Sequence, residues 1–286
     1  MKGKIIKIVS NRYTVYSEGI SYDSLAMGKV RLQDRPVVGD EVEFELIDEK
    51  YCIQKILERR NQLYRPAISN VDQAMIVMSA VEPDFSNILV DRLIFLISYN
   101  DIEPVIVITK MDLIEESNDI YTYIEDYRKS GYKVICTGFD SDLTEMKETL
   151  KDRVTVLAGQ SGVGKSSLLN RLDSRFSLHT QEISKALGRG KHTTRHTELY
   201  QVAGGWLADT PGFSSLDFSR IDSKVLIEKI KDFKVEEKCR FNDCQHINEP
   251  DCTIKKGVED GVISSLRYKN YLDVVPLCNQ RKEWEL

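Results

Sequence analysis

Eight consecutive residues, Gly159-Gln160-Ser161-Gly162-Val163-Gly164-Lys165-Ser166, carry the spacing Gly-x-x-x-x-Gly-Lys-Ser. Between a strand and a helix, such a run turns its backbone N–H groups onto phosphate oxygens, and the helix N-terminus adds a favourable dipole. In that chemistry Lys165 reaches the β- and γ-phosphate oxygens, Ser166 ligates Mg²⁺, and Ser167 closes the phosphate-binding run. Asp209-Thr210-Pro211-Gly212 lies downstream. An aspartate there holds Mg²⁺ directly or through water, and the Gly212 N–H meets the γ-phosphate. Thr109-Lys110-Met111-Asp112 lies upstream. A carboxylate at Asp112 accepts from guanine N1–H and the 2-amino group, two donors that adenine lacks, so it rejects adenine by leaving charge unpaired. The Lys110 stem covers the base plane. These are the parts of a nucleotide-hydrolysing switch in rotated order, with the base-reading residues first.

Between the two phosphate-side motifs runs Leu187-Gly188-Arg189-Gly190-Lys191-His192-Thr193-Thr194, basic and poor in apolar anchors. That composition suits a loop that orders around a γ-phosphate, with Thr193 or Thr194 supplying a hydroxyl to Mg²⁺. An ordinary surface loop has the same composition. Phe213 follows Gly212, where many GTPases place the glutamine that orients the attacking water. Either hydrolysis is slow or another residue positions the water, and His192 is the nearest polar candidate.

Cys239, Cys244, His246 and Cys252 put three thiols and one imidazole within 14 residues. That donor set matches a closed, tetrahedral structural Zn²⁺ site that folds a segment with little core of its own. Reactive free thiols are the competing reading. Cys52, Cys136 and Cys278 are isolated, so no disulfide framework is indicated.

Elements able to position these residues are readable. Residues 1–65 contain short runs of strand character at Ile5–Val9, Tyr13–Tyr16, Met27–Leu32, Glu41–Leu46 and Tyr51–Ile53, separated by turn-like residues. Five short strands fit an OB-type barrel, or another five-stranded module. Lys and Arg number 12 there against 10 Asp and Glu, so charge alone does not make it an RNA binder. From Val71 strands alternate with helices: strands at 74–80, 105–108, 133–136, 154–158 and 205–208, and helices at 87–99, 121–129, 142–150 and from Ser166. This is an α/β sheet covered by helices. Amphipathic helices are expected at 221–233 and 262–272. The boundaries expected are 1–68 for the barrel, 69–218 for a P-loop domain and 219–286 for a helical metal-binding domain.

The 286 residues have a net charge of −5, with 30% charged and 41% hydrophobic residues. This is an ordinary soluble composition, and it excludes a protein that coats nucleic acid by bulk charge. The N-terminus lacks a signal-peptide core and the apolar runs are strand-sized, so a cytoplasmic protein without a membrane role is expected.

The rotated motif order, the OB-like start, Gly-Arg-Gly-Lys-His-Thr-Thr, Asp-Thr-Pro-Gly and the Cys-Cys-His-Cys cluster together resemble the circularly permuted GTPases of the RsgA (YjeQ) family. The likeness extends over nearly the whole chain. It implies GTP and GDP as ligands with Mg²⁺, and hydrolysis stimulated by the small ribosomal subunit. It also implies rRNA contact, a late role in subunit maturation, one structural zinc, a monomer, and His192 as the family's proposed catalytic switch. Thr109 departs from the asparagine many GTPases carry, which weakens a loop-bracing contact while leaving Asp112 in place. Two other readings compete: a P-loop ATPase acting on nucleic acid with a structural zinc clip, and an RNA-binding module that uses nucleotide only structurally.

Overall fold

The structure is a computed structural model describing residues 1–28, 30, 34–64, 67–175, 197–208, 216–235 and 237–280. In chain order the strands of the first domain are β1 (Lys2–Val9), β2 (Arg12–Ser17), β3 (Ile20–Ala26), β4 (Glu41–Ile47) and β5 (Lys50–Ile56), followed by β6 (Gln62–Tyr64) and β7 (Ala67–Ser69). Next come β8 (Gln73–Ser79), α1 (Asn87–Tyr99), β9 (Glu103–Thr109), α2 (Ile120–Lys129), β10 (Lys133–Cys136), α3 (Thr144–Leu150), β11 (Val154–Ala158), α4 (Lys165–Leu172), β12 (Leu199–Val202) and β13 (Gly205–Ala208). The remaining helices are α5 (Ser223–Lys229), α6 (Thr253–Glu259) and α7 (Ser265–Val274). Strands β9 and β10 pair in parallel, and β11, β13 and β12 pair in that order, β11–β13 in parallel and β13–β12 antiparallel. Among the described residues no helix is long and apolar enough to cross a membrane.

Contacts divide the chain into two compact units, Met1–Ala74 with Asp142–Phe213, and Met75–Ser141 with Ser214–Leu286.

In the first unit β1–β5 close into a barrel in the order β1–β2–β3–β5–β4. The β3–β5 pair is parallel and the other pairs are antiparallel, which is the OB topology. Alternating residues, among them Ile5, Val15, Val42, Phe44 and Ile53, point inward and fill it. The buried Asp40 carboxylate ties the barrel to the β6–β7 hairpin. It accepts from Val37 N–H at 2.8 Å, Arg59 Nε at 2.7 Å and Ser69 Oγ at 2.6 Å, so its charge is fully partnered. The barrel also meets the β12–β13 hairpin. Lys7 pairs with Glu198 through backbone and side chain (Nζ–Oε2 2.8 Å). Tyr16 packs edge-on against Trp206 at 4.9 Å and takes a 2.8 Å hydrogen bond from Gln201.

The second unit holds β9 and β10, paired in parallel, with α1, α2, α5, α6 and α7. Helix α1 is capped by the Ser86 hydroxyl, which accepts from Leu89 N–H, and it buries Val90, Leu93, Ile94, Phe95 and Ile97. Its one buried acid, Asp91, faces Arg267 of α7.

Several local expectations need correction. The third barrel strand is Ile20–Ala26, where Ser21, Tyr22 and Asp23 hide the apolar alternation. Residues 29, 31 and 32 of the expected strand at 27–32 lie outside the described residues, and Val30 N–H bonds the Met27 carbonyl as in a turn. The 221–233 segment is not one helix: α5 ends at Lys229, Ile230 is extended, and Lys231–Phe233 form a 3-10 turn. The last helix starts at Ser265, set by the Ser264 cap. Strands β6, β7 and β12 and helix α6 are short and give no pattern long enough to read.

Candidate nucleotide site and metal centre

Residues 159–164 leave the end of β11, whose five residues are all buried, and lead into α4. The turn needs left-handed backbone at Gly159 (φ 135°), Gly162 (84°) and Gly164 (90°), a region costly for any residue with a Cβ. Val163 is the loop's buried anchor, and Leu168 and Leu169 fix the helix beneath it. Gln160, Ser161, Gly162, Ser166 and Ser167 are exposed. Lys165 curls over the loop and its ammonium donates to the Gly159 carbonyl at 2.8 Å and to the Gln160 carbonyl. The sequence-predicted phosphate residues therefore form one loop, with backbone donors and a lysine at a helix N-terminus.

Thr109 ends β9 and is buried, with its hydroxyl donating to the Met78 carbonyl at 3.2 Å. Lys110 takes the left-handed conformation (φ 60°), which turns the chain into the 3-10 turn Met111–Leu113. Its ammonium donates to the Glu82 carbonyl. Met111 N–H bonds the Thr137 carbonyl at 3.2 Å, joining this turn to the loop after β10. Asp112 is exposed, and its Oδ1 accepts from Phe139 N–H at 3.1 Å. Thr109, Lys110, Met111 and Asp112 are thus gathered at the carboxyl end of a parallel strand, where α/β sheets bind ligands. The loop Thr137-Gly138-Phe139 adjoins them. A lone glycine and an exposed phenylalanine gave little signal in sequence.

His192, Thr193, Thr194, Asp209 and Gly212 lie outside the described residues.

Cys239, Cys244, His246 and Cys252 converge, with their donor atoms all within 4.8 Å of one another; they are the one such group among the described residues. His246 Nδ1 is 3.6 Å from Cys239 Sγ, 3.3 Å from Cys244 Sγ and 3.3 Å from Cys252 Sγ. The Cys239 and Cys252 sulfurs are 4.0 Å apart. Tetrahedral Zn²⁺ bonds of about 2.3 Å to sulfur and about 2.0 Å to nitrogen give donor separations of about 3.5–3.8 Å. The cluster fits that ion in both donor type and spacing. Burial holds the His246 imidazole below its ordinary pKa, hence neutral and able to donate a lone pair. Burial pushes the Cys244 thiol up to about 12, a cost that a bound cation removes.

The surroundings brace the ligands. Thr253 Oγ1 lies 3.1 Å from Cys239 Sγ. The Glu249 carboxylate accepts from the N–H groups of Gln245 (2.9 Å), Ile247 (2.8 Å) and Asn248 (3.1 Å). Tyr268 and Tyr271 of α7 donate to the carbonyls of His246 (2.7 Å) and Gln245 (2.8 Å). The sequence pattern marks the four Cys and His residues but not these contacts, which have no fixed spacing from the cysteines.

Models of known families match almost the full P-loop and barrel regions. The RsgA N-terminal domain matches residues 2–53 and the RsgA GTPase matches residues 56–219. The chain belongs to the RsgA GTPase family. Its reaction is therefore GTP hydrolysis, and its motif order is that of a circularly permuted GTPase. Among curated relatives, the small ribosomal subunit biogenesis GTPase RsgA of Geobacillus sp. (strain WCH70) is 46% identical, and that of Bacillus subtilis (strain 168) is 45% identical, each with 98% of both chains covered. The crystal structure of YloQ, a circularly permuted GTPase, superposes with a TM-score of 0.83 at 40% identity, covering 98% of this chain and 96% of that one. YjeQ from Thermotoga maritima gives 0.82 at 34% identity, covering 98% and 99%. The RsgA family models thus span the barrel and the rotated motifs, and the curated relatives and solved structures extend the likeness over the tail.

Proposed function

We propose that this RsgA-family GTPase binds the small ribosomal subunit and its rRNA and couples GTP hydrolysis to late maturation of that subunit. Full-length similarity to relatives named for small-subunit biogenesis carries this reading. The protein acts as a cytoplasmic monomer, built as a barrel over 1–68, a GTPase domain over 69–218 and a zinc-binding helical domain over 219–286. Residues 159–167 hold the phosphates, with Lys165 on the β- and γ-oxygens. Ser166 and Asp209, with Thr193 or Thr194, are the oxygen donors for the nucleotide's Mg²⁺, and Gly212 meets the γ-phosphate. Thr109 to Asp112 read guanine. Phe213 cannot orient water, so His192 takes that part, and turnover is slow alone and stimulated by the small subunit. Zinc on Cys239, Cys244, His246 and Cys252 holds the tail folded.

The deciding experiment is phosphate release from GTP and from ATP, with and without purified small subunits. Slow GTP turnover that rises with small subunits is expected. Equal use of ATP, or GTP turnover indifferent to subunits, rejects the reading.

A further inference from the structure

Cys239 is touched by a polar group from outside the four-residue metal set. Thr253 Oγ1 lies 3.1 Å from its sulfur, and Thr253 directly follows Cys252, itself a member of the set. While Cys239 keeps its proton, either atom can be the donor in that contact. A metal-bound thiolate has no proton to give, so in the loaded centre the hydroxyl must donate and the sulfur accept. The bond is then charge-assisted, the stronger kind. The Arg240–Asp251 ion pair, 2.9 Å long, also ties these two stretches together, but both side chains are mostly exposed and such a pair contributes little in water.

Three thiolates and a neutral imidazole around a dipositive ion leave negative charge in excess. Cys252 and His246 are buried, so water screens that charge poorly on their side. A hydroxyl aimed at one sulfur draws electron density off it and spreads the excess, which stabilises the loaded centre. We propose that Thr253 is an outer-shell hydrogen-bond donor to the zinc-bound Cys239 thiolate, setting the electron density on that sulfur and the tightness with which the centre keeps its metal. Thr253 acts through Cys239 and does not touch the ion, so the inference rests on the four-ligand reading of the cluster.

The test loads the full chain with Co²⁺. Its sulfur-to-metal charge-transfer band reports electron density on the thiolates, and its visible d–d bands report tetrahedral geometry. Thr253→Val keeps the shape of the side chain and removes the donor. Its charge-transfer band should move to longer wavelength with the d–d bands unchanged, and Thr253→Ser should restore the parental band. In competition with a chromogenic chelator, Thr253→Val should bind zinc about tenfold more weakly, the low end of what losing an outer-shell partner costs. Thr253→Ser should stay close to the parent. A parental charge-transfer band or a parental zinc affinity in Thr253→Val overturns the proposal. A changed d–d envelope in that variant overturns it too, because Thr253 would then be shaping the ligand set instead of tuning one sulfur. If the parent chain itself gives no tetrahedral thiolate spectrum with Co²⁺, the four-ligand reading fails first, and the role of Thr253 fails with it.

Discussion

The Arg267 guanidinium of α7 and the Asp91 carboxylate of α1 form an ion pair with both side chains fully buried. The same guanidinium reaches Asp232 through Nε at 2.5 Å and Tyr132 Oη through Nη2 at 3.0 Å. Its planar face lies 4.6 Å from the Tyr132 ring centre. Asn270 takes up the second Asp91 oxygen at 2.6 Å. Burial opposes the charge on Arg267, but Asp91, Tyr132 and Asp232 outweigh it and raise its pKa further. The C-terminal helices are therefore fastened to α1 by a desolvated network with every partner supplied.

Removing the cation leaves two buried acids without that counter-charge, held by Asn270 and Tyr132. Arg267→Met should cost about 3–5 kcal/mol in urea unfolding. Arg267→Lys should recover only part of that, because a lysine cannot span Asp91, Asp232 and Tyr132 with one planar fork. A midpoint matching the parent in either variant would mean the network adds nothing.

Metal loss should unfold one segment selectively. Cys252→Ser, or strong chelator on the parent, should abolish stoichiometric zinc and open residues 239–252 to protease while GDP still binds. Elemental analysis and limited proteolysis together check this. Zinc retained in Cys252→Ser counts against the four-ligand assignment.

Glu249 makes the tail acid-sensitive. Burial raises its carboxyl pKa, but the Gln245, Ile247 and Asn248 N–H groups outweigh this and hold it below the ordinary carboxylate range. Folding then favours the ionised form. The resulting stability is present above the unfolded-state carboxylate pKa and is lost as pH falls through the depressed native value. Glu249→Gln should be less stable than the parent at neutral pH, and the two curves should converge on acidification. Parallel curves would rule out this role for Glu249.

Base choice should follow one side chain. Asp112→Asn should shift preference from guanine to xanthine nucleotides, because an amide can donate to the xanthine 2-oxygen where a carboxylate repels it. Lys165→Ala should cut GTP turnover about 100-fold or more without altering base preference. Competition binding and phosphate release separate the two effects.

What was legible followed the length scale of the chemistry. Gly159 to Ser166 and Cys239 to Cys252 are written in contiguous residues, because a phosphate or a metal ion is small enough for one loop to surround. The barrel was legible as five strands, yet β3 was misplaced because Ser21 and Asp23 face outward while Ser24, a polar residue, is buried. Arg267 and Asp91 were illegible: 176 positions separate them, and nothing near either residue marks it as a partner.

The seam of Tyr16, Trp206, Gln201, Lys7 and Glu198 bears on how this protein can be taken apart. Cutting at residue 68 would strip Trp206 of its aromatic partner and Glu198 of its cation, on the hairpin between the segments 176–196 and 209–215. A barrel-less truncation would thus damage the β12–β13 hairpin as well as removing the barrel, and any lost turnover would have two causes. Domain exchange between relatives is the cleaner dissection, provided the donor barrel travels with its own versions of residues 198–206.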